Sequence, residues 1–168
     1  MMQFSSMSIM RRTGLSALAG VLALMMVSQS ASAQADPFIG TWKLNPAKST
    51  YSGQQPLQSR TQTVQPAAQG LLFTEESVNA DGRAARTVLS LIYDGQPHPV
   101  IEGGANADSV IIRRIDASTQ EWTFFTNGQP GLSGRIVFSS DGRTATWTVA
   151  GKNAQGQSFN RTQVYEKQ

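Results

Sequence analysis

Apolar and polar residues alternate with a period of two in several segments, most clearly in the second half of the chain, and this period is typical of half-buried β-strands. Ala145, Trp147 and Val149 share one face, and the threonines between them take the other. Trp122 and Phe124 repeat the pattern on an earlier segment. No segment after the first 27 residues shows a helical period. The pattern therefore predicts antiparallel strands with one dry and one wet face.

Turn dipeptides mark six of the breaks between ten predicted strands. Asp-Gly and Asn-Gly favour two-residue hairpins because both residue types tolerate positive φ. The dipeptides are Gln69-Gly70, Asp81-Gly82, Asp94-Gly95, Asn127-Gly128, Asp141-Gly142 and Gln155-Gly156. The predicted strands are 38–44, 60–65, 71–79, 84–93, 99–101, 109–115, 121–126, 132–139, 144–150 and 158–166. Residues 45–59 are expected to be irregular, and residues 102–108 to form either a flexible rim loop or a plain long turn.

Ten short strands in sequence order predict an all-β fold with little helix. The expected architecture is a single antiparallel up-and-down β-barrel of about eight to ten strands, because closure removes the exposed edges of a long meander. No linker interrupts residues 34–168, so this segment is expected to be one barrel domain. A chain of that length can bury a sufficient core without further crosslinks.

The first 33 residues have the layout of a cleaved secretory signal peptide. Arg11 and Arg12 form a basic start, residues 15–27 form an apolar run too short to span a bilayer, and Ala31-Ser32-Ala33 is a small-residue cleavage site. The predicted mature chain begins at Gln34 and has no stable membrane anchor. We expect a periplasmic or secreted bacterial protein.

Composition changes once this segment is removed. All six methionines precede the predicted cleavage site, and the net charge of +3 falls to about +1, since two of the 14 basic residues are lost against 11 acidic ones. A near-neutral chain argues against nucleic-acid binding. The chain has no cysteine, which excludes disulfides, thiolate metal sites and an acylated lipoprotein.

Short motifs along the predicted domain carry a family resemblance. They are Gly40-Thr41-Trp42-Lys43-Leu44-Asn45, Ala47-Lys48-Ser49, Tyr93-Asp94-Gly95, Pro99-Val100, Asn106-Ala107-Asp108, Arg114-Ile115-Asp116, Ser140-Asp141-Gly142 and Val164-Tyr165-Glu166-Lys167. With them the chain resembles a family of small exported bacterial proteins of lipocalin-like type, most of them uncharacterised. The resemblance implies a lipocalin- or calycin-like barrel and leaves the activity open.

The Gly-x-Trp opening is also similar to that of lipocalins proper. There it implies a structural barrel base, to which Gly40, Trp42 and Arg161 correspond, with the arginine of the closing strand packed across the indole ring. The chain is expected to lack the C-terminal helix usual in lipocalins and the helical lid of intracellular fatty-acid carriers.

Residues that could support catalysis are sparse. His98 is the only histidine; it could be a pH-sensitive ligand contact, but its position between two prolines favours an ordinary exposed loop residue. Glu75 and Glu76 are adjacent on a strand and therefore point to opposite faces, so they cannot act as a pair. The aspartates of the turn dipeptides are explained by turn geometry. We expect no enzyme activity, no metal and no cofactor.

Arg113 and Arg114 also face opposite ways, so one of them shares a face with apolar residues. A guanidinium that points into an apolar barrel needs an anionic partner. That partner could be a ligand carboxylate, or it could be Glu75 or Glu121 on a neighbouring strand, which is the explanation we favour.

Aromatic residues on the strands could line a ligand cavity or pack a filled core, since a barrel of this size permits either. The candidate ligand-lining residues, including the two arginines, are Phe73, Tyr93, Arg113, Arg114, Trp122, Phe124, Phe138 and Trp147.

Three functions follow from these features. The first is non-covalent binding of a small apolar or amphipathic ligand, with affinity from buried hydrocarbon and one polar group that orients the head. The second is a filled barrel whose surface binds an envelope protein or polymer through Thr144, Thr146, Thr148, Asn153, Gln155 and Gln157. The third, an isomerase or hydrolase, has no catalytic constellation to support it, and protein partners are unknown.

Overall fold

The computed structural model describes residues 36–104, 107–153 and 156–168, so the predicted signal segment 1–33 lies outside the described residues. All ten predicted strands are present. They are β1 (Gly40–Ser52), β2 (Ser59–Pro66), β3 (Leu71–Val78), β4 (Ala84–Leu91), β5 (His98–Glu102), β6 (Ser109–Arg114), β7 (Thr119–Thr126), β8 (Gln129–Phe138), β9 (Thr144–Lys152) and β10 (Ser158–Lys167). Their bounds lie within a few residues of the predicted ones, except at β1 and at the start of β8.

The strands form a closed barrel in which each strand pairs with its sequence neighbours and β1 pairs with β10. Every pairing is antiparallel, so the prediction of an up-and-down antiparallel barrel is confirmed. The weakest junction is β5, which pairs with β6 through only two residue pairs. In the ranges that the structure describes, no helix is long and apolar enough to cross a membrane.

Strand β1 is longer than the sequence predicts, because the segment after residue 45 was expected to be irregular. The strand instead continues past a bulge that shifts its register with β10 between Asn45 and Thr50. The Asn45 side chain accepts a hydrogen bond from the backbone N–H of Lys48 at 3.2 Å, and its carbonyl accepts one from Ser49 Oγ at 2.7 Å. These bonds give partners to backbone groups that the bulge removes from the ladder, so the strand resumes after Pro46.

The turns confirm the hairpins but only partly their predicted type. Asn127 and Gly128 both have positive φ, of 50° and 72°, and they join a two-residue hairpin as expected. At Asp81-Gly82 only the glycine has positive φ, and the Asp81 carboxylate accepts a hydrogen bond from the Arg83 N–H at 3.1 Å. The connection there is longer than two residues because the aspartate side chain completes the turn.

One end of the barrel is closed by the segment that precedes β1. Phe38 and Trp42 are 1% and 0% exposed, and the Trp42 indole N–H donates a hydrogen bond to the Phe38 carbonyl at 2.8 Å. The Phe38 ring lies 5.7 Å from the Phe138 ring and 5.8 Å from the Trp147 ring, between ring centroids. We call this closed end the base of the barrel.

Glycine at position 134 makes room for an aromatic residue on the next strand. Gly134 on β8 pairs with Trp122 on β7, and a Cβ atom at Gly134 would lie 2.7 Å from the indole ring and 2.5 Å from the Thr148 carbonyl oxygen. The second contact is with backbone, which cannot rotate away. The indole therefore occupies the inner face of the barrel where the neighbouring strand carries no side chain.

Substituting this glycine tests that packing. Gly134→Ala is expected to lower the free energy of unfolding by about 1–3 kcal/mol, because overpacking forces the strands apart. Gly131→Ala is the matched control, since it lies on the same strand and its Cβ would meet nothing closer than 3.8 Å. Urea unfolding of both variants measures the difference. Equal stability of the two would contradict the described contact.

Candidate functional site

The barrel encloses a cavity of about 300 Å³. Its floor is formed by Phe38 of the base, whose ring lies 5.9 Å from that of Phe73, between centroids. Ala85 on β4 also lines the cavity and is exposed to solvent, so the mouth lies at the opposite end. The volume corresponds to about ten water molecules in the liquid, at the lower end of the range of ligand pockets.

Most of the wall is apolar and comes from β4 and from β6 to β9. Alternate residues of these strands point inward, as the period of two predicts. The apolar lining of this part is Leu89, Leu91, Val110, Ile112, Trp122, Phe124, Leu132, Ile136, Trp147 and Val149. Trp122 packs edge-on against Phe124, and its ring centroid lies 6.1 Å from that of Trp147. The two indoles thus form one continuous aromatic surface.

The rest of the wall, on β2, β3 and β10, is polar and contains a buried ion pair. Arg60 on β2 and Glu75 on β3 are 12% and 15% exposed, with Arg60 Nε 3.3 Å from Glu75 Oε1. Gln62 Nε2 donates a hydrogen bond to Glu75 Oε2 at 2.9 Å. Arg60 Nη1 donates to Gln163 Oε1 at 3.4 Å and to the Tyr165 hydroxyl at 3.5 Å. Glu75 is thus fully engaged by protein groups.

A second guanidinium lies on the same polar wall. Arg161 on β10 shares the inward face with Gln163, two residues further along the strand. Its guanidinium carbon lies 5.6 Å from the centre of the Phe159 ring, and Nη1 donates a hydrogen bond to Gln54 Oε1 at 2.8 Å. Both of these contacts are with uncharged groups.

The two arginines differ electrostatically. Burial alone would lower the pKa of Arg60, but the negative charge of Glu75 acts the other way, and the net pKa lies above the ordinary value. Burial, and next the charge of Arg60, lower the pKa of Arg161. Arginine stays protonated in both cases. Arg60 therefore has a carboxylate in ion-pair contact, whereas Arg161 forms no ion pair with the described residues.

Several buried donors on the cavity wall have no hydrogen-bond partner among the described residues. They include Arg161 Nε and the indole nitrogens of Trp122 and Trp147. A buried donor without a partner costs free energy, so native proteins usually satisfy such groups. These three atoms are covered by the surrounding side chains, so the cavity does not present them to a guest in this arrangement.

Four of the eight predicted ligand-lining residues line the cavity, and four do not. Phe73, Trp122, Phe124 and Trp147 line the cavity. Phe138 packs at the base instead, with its ring centroid 5.6 Å from that of Trp42. The remaining three, Tyr93, Arg113 and Arg114, lie away from the described cavity wall.

Arg114 has a different partner from those the sequence suggested. It shares the inward parity of Val110 and Ile112, but it lies at the base, where it forms an ion pair with Asp36 and stacks on the Tyr93 ring at 4.6 Å. The Tyr93 hydroxyl donates to Asp36 Oδ2 at 2.9 Å. The partner of Arg114 is therefore Asp36 and not Glu75 or Glu121. The sequence does not suggest Asp36, because this residue precedes the first predicted strand and no pattern places it near β6.

Arg113 faces outward, as the alternation requires. It pairs in register with Glu121 on β7, whose carboxylate accepts hydrogen bonds from Arg135 Nε and Nη2 at 3.0 and 2.5 Å. Neither Arg113 nor Arg114 is therefore part of the described cavity wall.

The role implied for Arg161 needs correction. The cation over the Trp42 ring is Lys167, whose Nζ lies 5.1 Å from the ring centre. A Cβ at Gly40 would come within 2.7 Å of Lys167 Cε, so the glycine leaves space for this side chain. Arg161 lies opposite Tyr51, near the far end of β1. The assignment of Arg161 to the barrel base is wrong because the register of the last strand places Lys167 opposite Trp42.

His98 is the first residue of β5 and 20% exposed in its side chain, so the expectation of an ordinary exposed loop residue is wrong. Its Nε2 lies 2.9 Å from Asp94 Oδ1. Hydrogen bonds from the Gln96 backbone and from His98 lower the pKa of Asp94. The described residues contain no group of three or more potential metal ligands.

The polar half of the site is what sequence reasoning missed. From the sequence, Glu75 is considered only as a partner for Arg113 or Arg114, and Arg60 is not singled out. The signal that could have found them is alternation: Arg60, Gln62 and Val64 lie on one face of β2, so the arginine shares a face with a buried valine.

Comparison with known proteins adds little to this description. No protein-family model matches the chain, and no curated protein matches it. One solved structure to which it is similar is the zebrafish ileal bile acid-binding protein complexed with cholic acid. The TM-score is 0.48 and the identity 11%, over 79% of this chain and 99% of that chain. This level of similarity says nothing about what the present chain binds.

Proposed function

We propose that this chain is an exported bacterial protein of lipocalin-like type that binds a small amphipathic molecule non-covalently inside its barrel. The predicted signal peptide supports the periplasm or the exterior as its location. The observation that carries the proposal is the cavity of about 300 Å³ with one apolar and one polar wall. A guest with a hydrocarbon part and a polar part matches both walls.

The apolar wall supplies affinity and the polar wall supplies orientation. Burying hydrocarbon against the indoles of Trp122 and Trp147 contributes about 25 cal/mol per Å² of apolar area. A polar group on the other side would meet the polar wall, to which Arg161 and Gln163 contribute. Catalysis is not part of this proposal, because His98 lies outside the described cavity wall.

The alternative of a filled barrel that acts through its surface has less support. Space remains inside the barrel, whereas a filled core would bring the two walls into contact. Of the polar residues proposed for such a surface, Thr144, Thr146 and Thr148 lie on the outward face of β9, and Gln155 lies outside the described residues.

Native mass spectrometry tests the proposal. The protein is purified gently from the periplasm of its own host, and its mass is recorded before and after organic extraction. A bound mass that the solvent releases is expected and would identify the ligand class. A bare polypeptide, together with no binding of added decanol or decanoate in calorimetry, would refute ligand binding and favour the filled-barrel alternative.

A substitution at the mouth provides a second test. Ala85→Trp is expected to weaken the binding of decanol by about tenfold or more, because an indole at this cavity-lining position takes space from the guest. Ala84→Trp is the matched control, since the adjacent residue is also exposed but faces away from the cavity. Isothermal titration calorimetry measures both. Equal affinities would place the ligand outside the barrel.

A further inference from the structure

The polar wall of the cavity carries an unbalanced charge. The charged side chains of its lining are Arg60, Arg161 and Glu75. Glu75 pairs with Arg60 and also accepts a hydrogen bond from Gln62, so its oxygens are already engaged. One positive charge is left over, and it belongs to Arg161. A buried cation without a counter-ion is costly, which makes this position a place for an anion.

Resting on the proposed function, we infer that the cavity selects amphiphiles with a single negative charge, whose anionic oxygens bind Arg161 while Glu75 excludes a second charge. Arg161 lines the cavity, and its Nη1 donates a hydrogen bond to an uncharged acceptor, Gln54 Oε1. A ligand carboxylate can accept a charge-assisted hydrogen bond from the guanidinium, which is stronger than one between neutral groups. The guanidinium carbon also lies 5.6 Å from the centre of the Phe159 ring, a contact that helps to orient it.

Glu75 sets the upper limit on ligand charge. A carboxylate on Arg161 makes the lining neutral, because Glu75 already balances Arg60. A dianionic head group would leave one negative charge uncompensated and facing the Glu75 carboxylate in a space of low dielectric. The ion pair between Arg60 and Glu75 thus acts as a charge filter as well as a structural link between β2 and β3.

A series of ligands with the same ten-carbon chain tests this selectivity by calorimetry at pH 8. The probes are decanol, decanoate, decyl phosphate and decyltrimethylammonium, which carry neutral, single negative, double negative and positive head groups. Decanoate is expected to bind about tenfold or more tightly than decanol, because the added hydrogen bonds involve charged groups. Decyl phosphate and the cation are expected to bind more weakly than decanoate.

Arg161→Gln assigns the preference to this residue. The variant is expected to bind decanol within about twofold of the wild type but to lose the tenfold preference for decanoate. Arg135→Gln is the matched control, because Arg135 is an exposed arginine on the outer face of β8. In Glu75→Gln, the affinity for decyl phosphate is expected to rise relative to that for decanoate. If that variant does not fold, the ligand series on the wild type and on Arg161→Gln still tests the charge selectivity.

The outcomes separate the two proposals. If decanol and decanoate bind wild type equally, or if Arg161→Gln keeps the preference for decanoate, the charge selectivity is wrong and the proposed amphiphile binding stands. If decyl phosphate binds more tightly than decanoate, the limit set by Glu75 is wrong. If no probe binds at all, ligand binding in the barrel itself fails.

Discussion

Trp42→Ala is expected to lower the free energy of unfolding by about 3–5 kcal/mol, the range for truncating a large aromatic side chain in a core. Trp42 is completely buried and packs against Phe138. Its indole N–H donates a hydrogen bond to the carbonyl of Phe38, the residue that closes the base. The substitution therefore opens a cavity, leaves a carbonyl without its donor and loosens the floor of the ligand site. Urea unfolding followed by circular dichroism measures the loss.

Two controls show whether the effect comes from the indole itself. Trp42→Phe keeps most of the buried area and loses the hydrogen bond, so it is expected to cost less than the alanine variant. Lys167→Gln removes the exposed cation over the ring, a contact worth about 0.5–1 kcal/mol at such sites, together with the hydrogen bond from Lys167 Nζ to the Pro37 carbonyl. If Trp42→Ala unfolds like the wild type, the role of the Gly-x-Trp segment in closing the barrel is wrong.

The architecture could be predicted from the sequence because its signals are local. Alternation at Ala145, Trp147 and Val149 and the turn at Asn127-Gly128 each depend on neighbouring residues, and the structure places all of them as expected. Antiparallel order then follows from short connections. The length of β1 could not be predicted in the same way, because a bulge satisfied by Asn45 allows the strand to continue past Pro46.

The site could be predicted only in its apolar half. Trp122, Phe124 and Trp147 line the cavity because large residues of the dry face must point inward. The polar half depends on register, because the shift within β1 places Arg161 opposite Tyr51, whereas Lys167 lies opposite Trp42 before the shift. No local pattern reports such a shift.

Glu75 illustrates the same limit. On its own strand, a glutamate between Phe73 and Ser77 is as consistent with solvent as with the interior. Its partner Arg60 lies on β2, and the two side chains approach only once the strands pair, with Gln62 directly opposite Glu75. Charge pairs between strands therefore cannot be predicted from single segments.

Arg60→Met is expected to lower the free energy of unfolding by about 3–5 kcal/mol, because removing one partner of a buried ion pair leaves the other charge buried without a counter-ion. Glu75 would keep the hydrogen bond from Gln62 and lose its cation. The same substitution removes the donor to Gln163 and Tyr165. Unfolding in urea at neutral pH measures this loss.

The double variant Arg60→Met with Glu75→Met distinguishes the energy of the ion pair from the contacts that each side chain makes with other residues. Replacing both partners by apolar residues of similar size is often neutral or stabilising, so the double variant is expected to regain most of the stability that Arg60→Met loses. The coupling energy from this cycle measures the interaction itself. Additive losses would contradict a buried pair and place both side chains in solvent. If the pair is coupled, Glu75 is committed to Arg60 in the folded protein, and the positive charge left for a ligand is that of Arg161.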